Sequence, residues 1–506
     1  MTAASDPRPA APEAPSSDMP AAHPPAPGRA ASLDPESWDE VRALGHRMLD
    51  DMIDYVAGIR ERPVWQPLPD GLRAELRAHL PDEPVGIEAA YADFRRLVEP
   101  YATGNTHPRF LGWVHGGGNP AAMLGEILAA GLNANLGGRD HAPIEVERQV
   151  VRWAASALGL PETAGGLILT GSSMANFIGV LCARRRALGA DVRRLGLGEA
   201  RLVAYASEGA HACLPRAMDM AGIGSDALRR VPVTADRRMD LAALGRLIEA
   251  DLAAGFTPFL IAATAGTVDS GAVDDLAAVA GIAREHGLWF HVDGAFGAFV
   301  ALSQRLRPLV AGISEADSVA FDFHKWGQVQ YDAGCVLVRN QQHLADTFAQ
   351  NVDYLQHETR GLAGNAPWPC DLGPELSRGF RALKVWMTLK TYGAEGLGRV
   401  VEACCDRARE LVARVDADPR LELLAPAPLN VVCFRVRDEH DADTLNHDIV
   451  VALQESGIAA PSTTRIGGRL AIRAAFVNHR TRPEDVDILV DAVLSLAGAL
   501  RGATTG

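Results

Sequence analysis

Between residues 165 and 340, six short and mostly apolar runs (166–170, 202–206, 259–264, 288–292, 318–321 and 334–338) are separated by stretches with helical periodicity, among them 174–187, 240–254 and 274–286. A strand that is apolar on both faces has to be covered on both, and a chain that returns through a helix after each strand supplies that cover. The alternation therefore restricts this part of the chain to an α/β fold around a largely parallel sheet. Gly255 provides the stop for the second helix. After about residue 385 the pattern changes to a long helix, a strand at 430–436, a helix at 443–456, a strand at 470–476 and a helix at 483–500, which describes a smaller α+β domain. No internal repeat is present.

Ahead of the sheet, residues 1–32 are dominated by Ala, Pro and Ser with nothing periodic to bury, and read as a disordered tail. Asp34 and Pro35 form a cap and first-turn proline for a helix on which Val41, Leu44, Met48, Met52, Tyr55, Val56 and Ile59 share one face. That face packs either on this chain's own core or on a second subunit. The expected division is thus tail 1–32, helical segment 33–110, large domain 111–385 and small domain 386–506. With Asp+Glu at 63 and Lys+Arg at 49, the net charge of -14 disfavours phosphate backbones and anionic membrane surfaces, so nucleic acid and membrane partners are not expected and a small-molecule partner is. No apolar run reaches the roughly 18 residues a membrane span requires. The seven cysteines have neither disulfide nor metal-ligand spacing, so no metal is expected, and no secretory signal precedes the fold, which makes the cytoplasm the expected location.

Ligands of open α/β sheets gather beyond the carboxyl ends of the strands, so motifs that follow the apolar runs should converge there. Thr170-Gly171-Ser172-Ser173-Met174-Ala175-Asn176 opens a helix after the first run and offers N–H groups and hydroxyls to a dianionic phosphate, although a Gly-Ser-Ser turn is also an ordinary helix start. Asp293 ends the 288–292 run and is followed by Gly294 and Ala295, which leave room for a planar ring; alone, it reads equally as a turn cap. Lys325 lies in Phe321-Asp322-Phe323-His324-Lys325-Trp326, against apolar neighbours that favour the neutral amine. A lysine and an aspartate so placed can hold pyridoxal phosphate: the amine forms an imine with its aldehyde and the carboxylate keeps its ring nitrogen protonated. His291 either orients Asp293 or fills the strand, and His324 either touches the phosphate or stacks. Arg473 either reaches an anionic group from the small domain or makes a structural salt bridge.

In order along the chain, Thr170 to Asn176, Ala210-His211, Gly266-Thr267, His291-Val292-Asp293-Gly294-Ala295 and His324-Lys325-Trp326 resemble the group II pyridoxal-phosphate-dependent amino-acid decarboxylases, a likeness that runs from about residue 35 to about 500. The resemblance implies the type I, aspartate-aminotransferase-like fold and an active site at a homodimer interface; for the 33–110 segment, whose helix needs a surface to cover, the expected place is on that partner. It implies that Lys325 carries the cofactor, Asp293 pairs with its ring nitrogen, and His211 stacks on the ring face opposite Ala295. By the same likeness Ser172, Ser173 and Asp322 or His324 hold the phosphate and Thr267 flanks the ring. His107 and Trp113 resemble the substrate-side segment. Aromatic-amino-acid decarboxylases carry a proton-donating tyrosine 29 residues beyond the lysine, and Tyr354 stands at that spacing here, whereas related aldehyde synthases carry phenylalanine. Gly294-Ala295-Phe296, Asp322 and Phe323 depart from the aromatic branch.

The function these features imply is decarboxylation of an L-amino acid, with aromatic substrates the first choice. Oxidative conversion to an aldehyde, with ammonia and peroxide, is the alternative within the same cofactor chemistry. A fold retained only for cofactor or partner binding is the alternative outside it.

Overall fold

The computed structural model describes residues 32–350 and 358–504. The chain divides into two units, Met1–Met52 and Ile53–Gly506. The described part of the first is chiefly helix, within the element Trp38–Ala57. This helix starts later than the Asp34-Pro35 signal implies, because Ser37 caps it: the Ser37 Oγ accepts from the N–H of Glu40 at 3.3 Å.

The second unit contains two sheets. Its strands are β1 (Phe110–Leu111), β2 (Gly165–Leu169), β3 (Leu202–Ser207), β4 (Leu228–Val231), β5 (Thr257–Thr264), β6 (Trp289–Asp293), β7 (Ser318–Asp322), β8 (Gly334–Val338), β9 (Leu421–Leu423), β10 (Val431–Val436), β11 (Ala460–Ile466) and β12 (Arg469–Ala475). The larger sheet has the order β2-β8-β7-β6-β5-β3-β4, parallel throughout except for β8, which runs against both β2 and β7. Six of its strands are the six apolar runs. The seventh, β4, is an edge strand of four residues whose two central arginines hide it from a search for apolar segments. The type I architecture expected of the large region is therefore present.

The smaller sheet, β1-β11-β12-β10-β9, contains the two C-terminal strands foreseen at β10 and β12. β11 was not foreseen because Pro, Ser, Thr and Arg occupy most of Ala460–Ile466. It matters, because β1 pairs with it in parallel, Phe110 opposite Ala460, and so fixes the segment around residue 110 against the C-terminal part of the chain.

Helices Ser172–Leu188, Leu241–Ala253 and Leu276–Glu285 fall where the periodicity places them, the latter two capped by Asp240 and Asp275. Gly255 has φ +73°, the left-handed conformation that ends the second without cost to a glycine. The long helix Arg381–Ala417 breaks at Gly393 (φ 67°). At the free edge of β2, where no further strand can pair, a buried ion pair takes the strand's place. Arg378 Nη2 lies 2.6 Å from Glu147 Oε1 and donates to the Ile168 carbonyl at 2.5 Å, while the Ile168 N–H donates to Glu147 Oε1 at 3.0 Å. All seven cysteines are buried and unpaired, and burial raises the pKa of each thiol. No helix among the described residues is long and apolar enough to cross a membrane.

Candidate active site

The ends of β2, β3, β5, β6 and β7 and the loops that follow them carry the residues predicted to hold the cofactor, all at the carboxyl ends of the large sheet. Asp293 is the last residue of β6 and Asp322 the last of β7; the N–H of Asp322 donates to the Ala295 carbonyl at 2.9 Å, which holds the two strand ends together.

Asp293 is buried, with one backbone donor, Ala295 N–H at 3.1 Å on Oδ1, and the Cys213 thiol at 3.7 Å on Oδ2. Burial raises its pKa above the ordinary carboxylate value, while the electrostatic influence of Lys325, and then of His211, opposes that rise. A buried carboxylate with so few donors suits a cationic N–H such as a protonated ring nitrogen. His211 lies close by, its Nδ1 accepting from the Cys213 N–H at 3.2 Å.

Asp322 accepts from the Ser172 N–H on Oδ1 and the Ser172 hydroxyl on Oδ2, both at 2.5 Å, and Lys325 Nζ lies 2.9 Å from Oδ2. One carboxylate thus joins the phosphate-type turn to the lysine. The Lys325 side chain is 22% exposed and rests on a carboxylate rather than in the apolar wall its neighbours imply, because Phe321 and Phe323 turn into the core and stack edge-on with Phe299. His324 Nδ1 accepts from the Ala333 N–H at 3.0 Å, and its Nε2 lies 3.6 Å from Asp322 Oδ1.

Ser173, next to Ser172, has an N–H and a hydroxyl with no protein partner among the described residues. Gly334 at the start of β8 approaches Gly171 so closely that a Cβ would lie 2.4 Å from its backbone, so the turn can form only against a glycine. Thr267 is buried, its Oγ1 accepting from the Ala272 N–H at 3.0 Å with Ser270 Oγ at 3.1 Å, and it shapes the loop after β5. A donor-poor buried acid, open donors at a helix start and an accessible amine fit pyridoxal phosphate at its ring nitrogen, phosphate and aldehyde respectively.

Other predicted residues take different roles. His291 does not bond to Asp293; its Nε2 pairs with Asn176 Oδ1 and its Nδ1 with Ser318 Oγ, each at 2.7 Å, and burial lowers its pKa to about 4, so it is a neutral tie between helix and sheet. Arg473 makes no salt bridge among the described residues. Its guanidinium donates to the Val268 carbonyl (2.5 and 2.8 Å), the Trp113 carbonyl (3.1 Å) and Ser462 Oγ (3.2 Å), and so pins the loop after Thr267 to the segment after β1. His107 is buried with Nδ1 accepting from the Arg109 N–H at 3.0 Å and Nε2 facing the Arg60 carbonyl at 3.4 Å, which leaves its ring no nitrogen for a substrate. Trp113 is 54% exposed and held in the left-handed region (φ 50°). Tyr354 lies outside the described residues.

Two further rings were not anticipated: His115, which feels the Lys325 charge, and Tyr331, which lies beside His324. The His115 ring stacks on Phe110 (5.6 Å) and Trp113 (5.8 Å) and meets Tyr331 edge-on (5.9 Å); the Tyr331 ring lies 4.2 Å from His324. The sequence signal for them is slight: an aromatic residue at every second or third position from 110 to 115, and a tyrosine six residues after the lysine.

Comparison with known proteins agrees with this geometry. Residues 69–437 match the pyridoxal-dependent decarboxylase conserved domain. The chain is 31% identical over 471 residues to an aromatic-L-amino-acid decarboxylase of Bacillus atrophaeus, covering 91% of this chain and 96% of that protein. It is also 31% identical to a phenylacetaldehyde synthase of Arabidopsis thaliana, over 89% and 94% of the two. The crystal structure of Oryza sativa TDC with PLP and tryptamine superposes with a TM-score of 0.85 at 28% identity, over 93% of this chain and all of that one (100%). The chain belongs to the pyridoxal-dependent decarboxylase family, and it is a pyridoxal-phosphate-dependent amino-acid carboxy-lyase.

Proposed function

We propose that this enzyme converts an aromatic L-amino acid to its amine and carbon dioxide, acting as a cytoplasmic homodimer. The observation that carries the reading is the single carboxylate, Asp322, that joins the Ser172 turn to Lys325 beside the donor-poor Asp293. In this reading Lys325 Nζ holds the cofactor by its aldehyde, Asp293 holds the proton on its ring nitrogen, and His211 and Ala295 bracket the ring. Ser173 and His324 bind the phosphate, Ser172 and Asp322 set the turn that presents it, and Thr267 borders the ring. The bound cofactor supplies the electron sink for the pair left on the α-carbon when carbon dioxide departs. Tyr354, 29 residues after Lys325, then gives that carbon its proton.

The aromatic substrate is supported by the Bacillus relative, by the tryptamine in the Oryza sativa structure, and by the rings of Trp113, His115 and Tyr331, which form one cluster against His324. A second copy is supported by the helix Pro120–Leu132, which leaves Leu124, Ile127, Leu128 and Leu132 exposed at helical spacing. The 33–110 segment is assigned to that same partner contact.

Lys325→Ala is expected to remove both the absorbance of bound cofactor and carbon dioxide release; a variant that keeps either sinks the assignment. A release screen over the twenty amino acids and dihydroxyphenylalanine identifies the substrate, and sedimentation tests the dimer. Because aldehyde synthases are among the relatives, Tyr354→Phe is informative: peroxide should rise relative to amine, and an unchanged ratio refutes the tyrosine as proton donor.

A further inference from the structure

Gly116 fixes where the substrate-side segment lies. Its N–H donates to the His324 carbonyl at 3.2 Å, and a Cβ there would sit 2.4 Å from that oxygen and 2.5 Å from the carbonyl oxygen of Lys325. Only glycine lets the segment touch the backbone of the lysine, and the residue before it, His115, is thereby held beside Lys325. Phe110, Trp113 and Tyr331 surround the His115 ring. Neither of its nitrogens has a hydrogen-bond partner among the described residues.

Burial and the Lys325 charge lower the pKa of His115, so the ring is neutral at physiological pH and offers one N–H and one lone pair. A planar substrate side chain laid along this aromatic strip would strip water from both. A phenol hydroxyl or an indole N–H replaces that water with a hydrogen bond, whereas a bare phenyl ring leaves a polar group unpaired, and unpaired groups discriminate strongly. A carboxylate side chain finds no such welcome from the neighbouring guanidinium, since Arg473 is spent on the Val268 and Trp113 carbonyls and Ser462.

We propose that His115 is a specificity-determining residue, which selects aromatic amino acids carrying a hydrogen-bonding group on the ring over those that carry none. This rests on the aromatic-substrate reading above. The test compares kcat/KM of the holoenzyme for L-tyrosine and L-phenylalanine. The wild type should prefer tyrosine by about tenfold or more, and His115→Phe, which keeps a ring but loses both nitrogens, should lower that ratio by about tenfold. His115→Gln, which keeps a donor and an acceptor, should hold the ratio within about threefold of wild type. Absorbance of bound cofactor shows that each variant is loaded.

An unchanged ratio in loaded His115→Phe overturns the proposal. Should that variant not fold, competitive inhibition of the wild type decides: tyramine should bind about tenfold more tightly than phenethylamine, and equal inhibition overturns the role of His115. A wild type that releases carbon dioxide from another amino acid but from no aromatic one overturns the substrate class itself, and the proposal with it.

Discussion

Glu147 and Asp322 are both buried carboxylates, each paired with a cation and each bonded to backbone at one end of β2, yet the two regions do opposite things with the same chemistry. Glu147 meets Arg378, whose side chain is 1% exposed and whose other contacts are the Ile168 and Leu136 carbonyls and Glu375; the pair finishes an edge of the sheet. Asp322 meets Lys325, which reaches toward solvent, and Ser172 at the mouth of a helix, so its partners are groups a ligand also needs. The same ion pair is scaffold where both partners are enclosed and machinery where one of them faces outward.

The largest expected effect lies on the machinery side. Asp293→Asn should lower turnover about a thousandfold or more, through loss of the fixed charge beside the ring nitrogen. The apoprotein should respond in the other direction. Because folding raises the pKa of Asp293, its contribution to stability is full below the ordinary carboxylate pKa and is lost as pH rises through the folded value. Denaturant melts of the apoprotein across pH should show that loss in the wild type and not in the asparagine variant; parallel curves would remove Asp293 from the account.

On the scaffold side, Arg378→Met leaves Glu147 charged and enclosed, and should cost about 3–5 kcal/mol of unfolding free energy. Adding Glu147→Leu should recover part of it. A single-variant loss below about 1 kcal/mol would erase the distinction between the two carboxylates.

The smallest effect sharpens it. Asp322→Asn removes a negative charge from the place where a phosphate dianion is to be held, and should tighten pyridoxal phosphate binding to the apoprotein about tenfold, near 1.4 kcal/mol. Pyridoxal, which has no phosphate, should bind the two proteins alike. Equal tightening of both ligands would show that Asp322 acts through Lys325 alone.

What could be read from the sequence follows from how local the information is. Six of the seven strands of the large sheet are contiguous apolar runs, and Asp293, Asp322, His324 and Lys325 sit at or just behind the ends of two of them, so pattern and chemistry coincide. β4, β9 and β11 are short or polar and gain their stability from neighbours the pattern cannot see. Arg473 and His107 invite a ligand reading because their type suggests one, but most of their partners are carbonyls and N–H groups that almost every residue possesses. His115 and Tyr331 are far apart in the chain and meet only through the β1–β11 pairing and the contact of Gly116 with His324.

The seven enclosed thiols have a practical consequence. Each is uncharged at neutral pH and shielded from reagents, so maleimides and other alkylating probes should leave the native enzyme nearly untouched. A single cysteine placed at Leu362, which is 67% exposed, would then be the one site that takes a spin or fluorescent label. The intact protein can in this way be labelled at a chosen position, with no need to strip out the natural cysteines first.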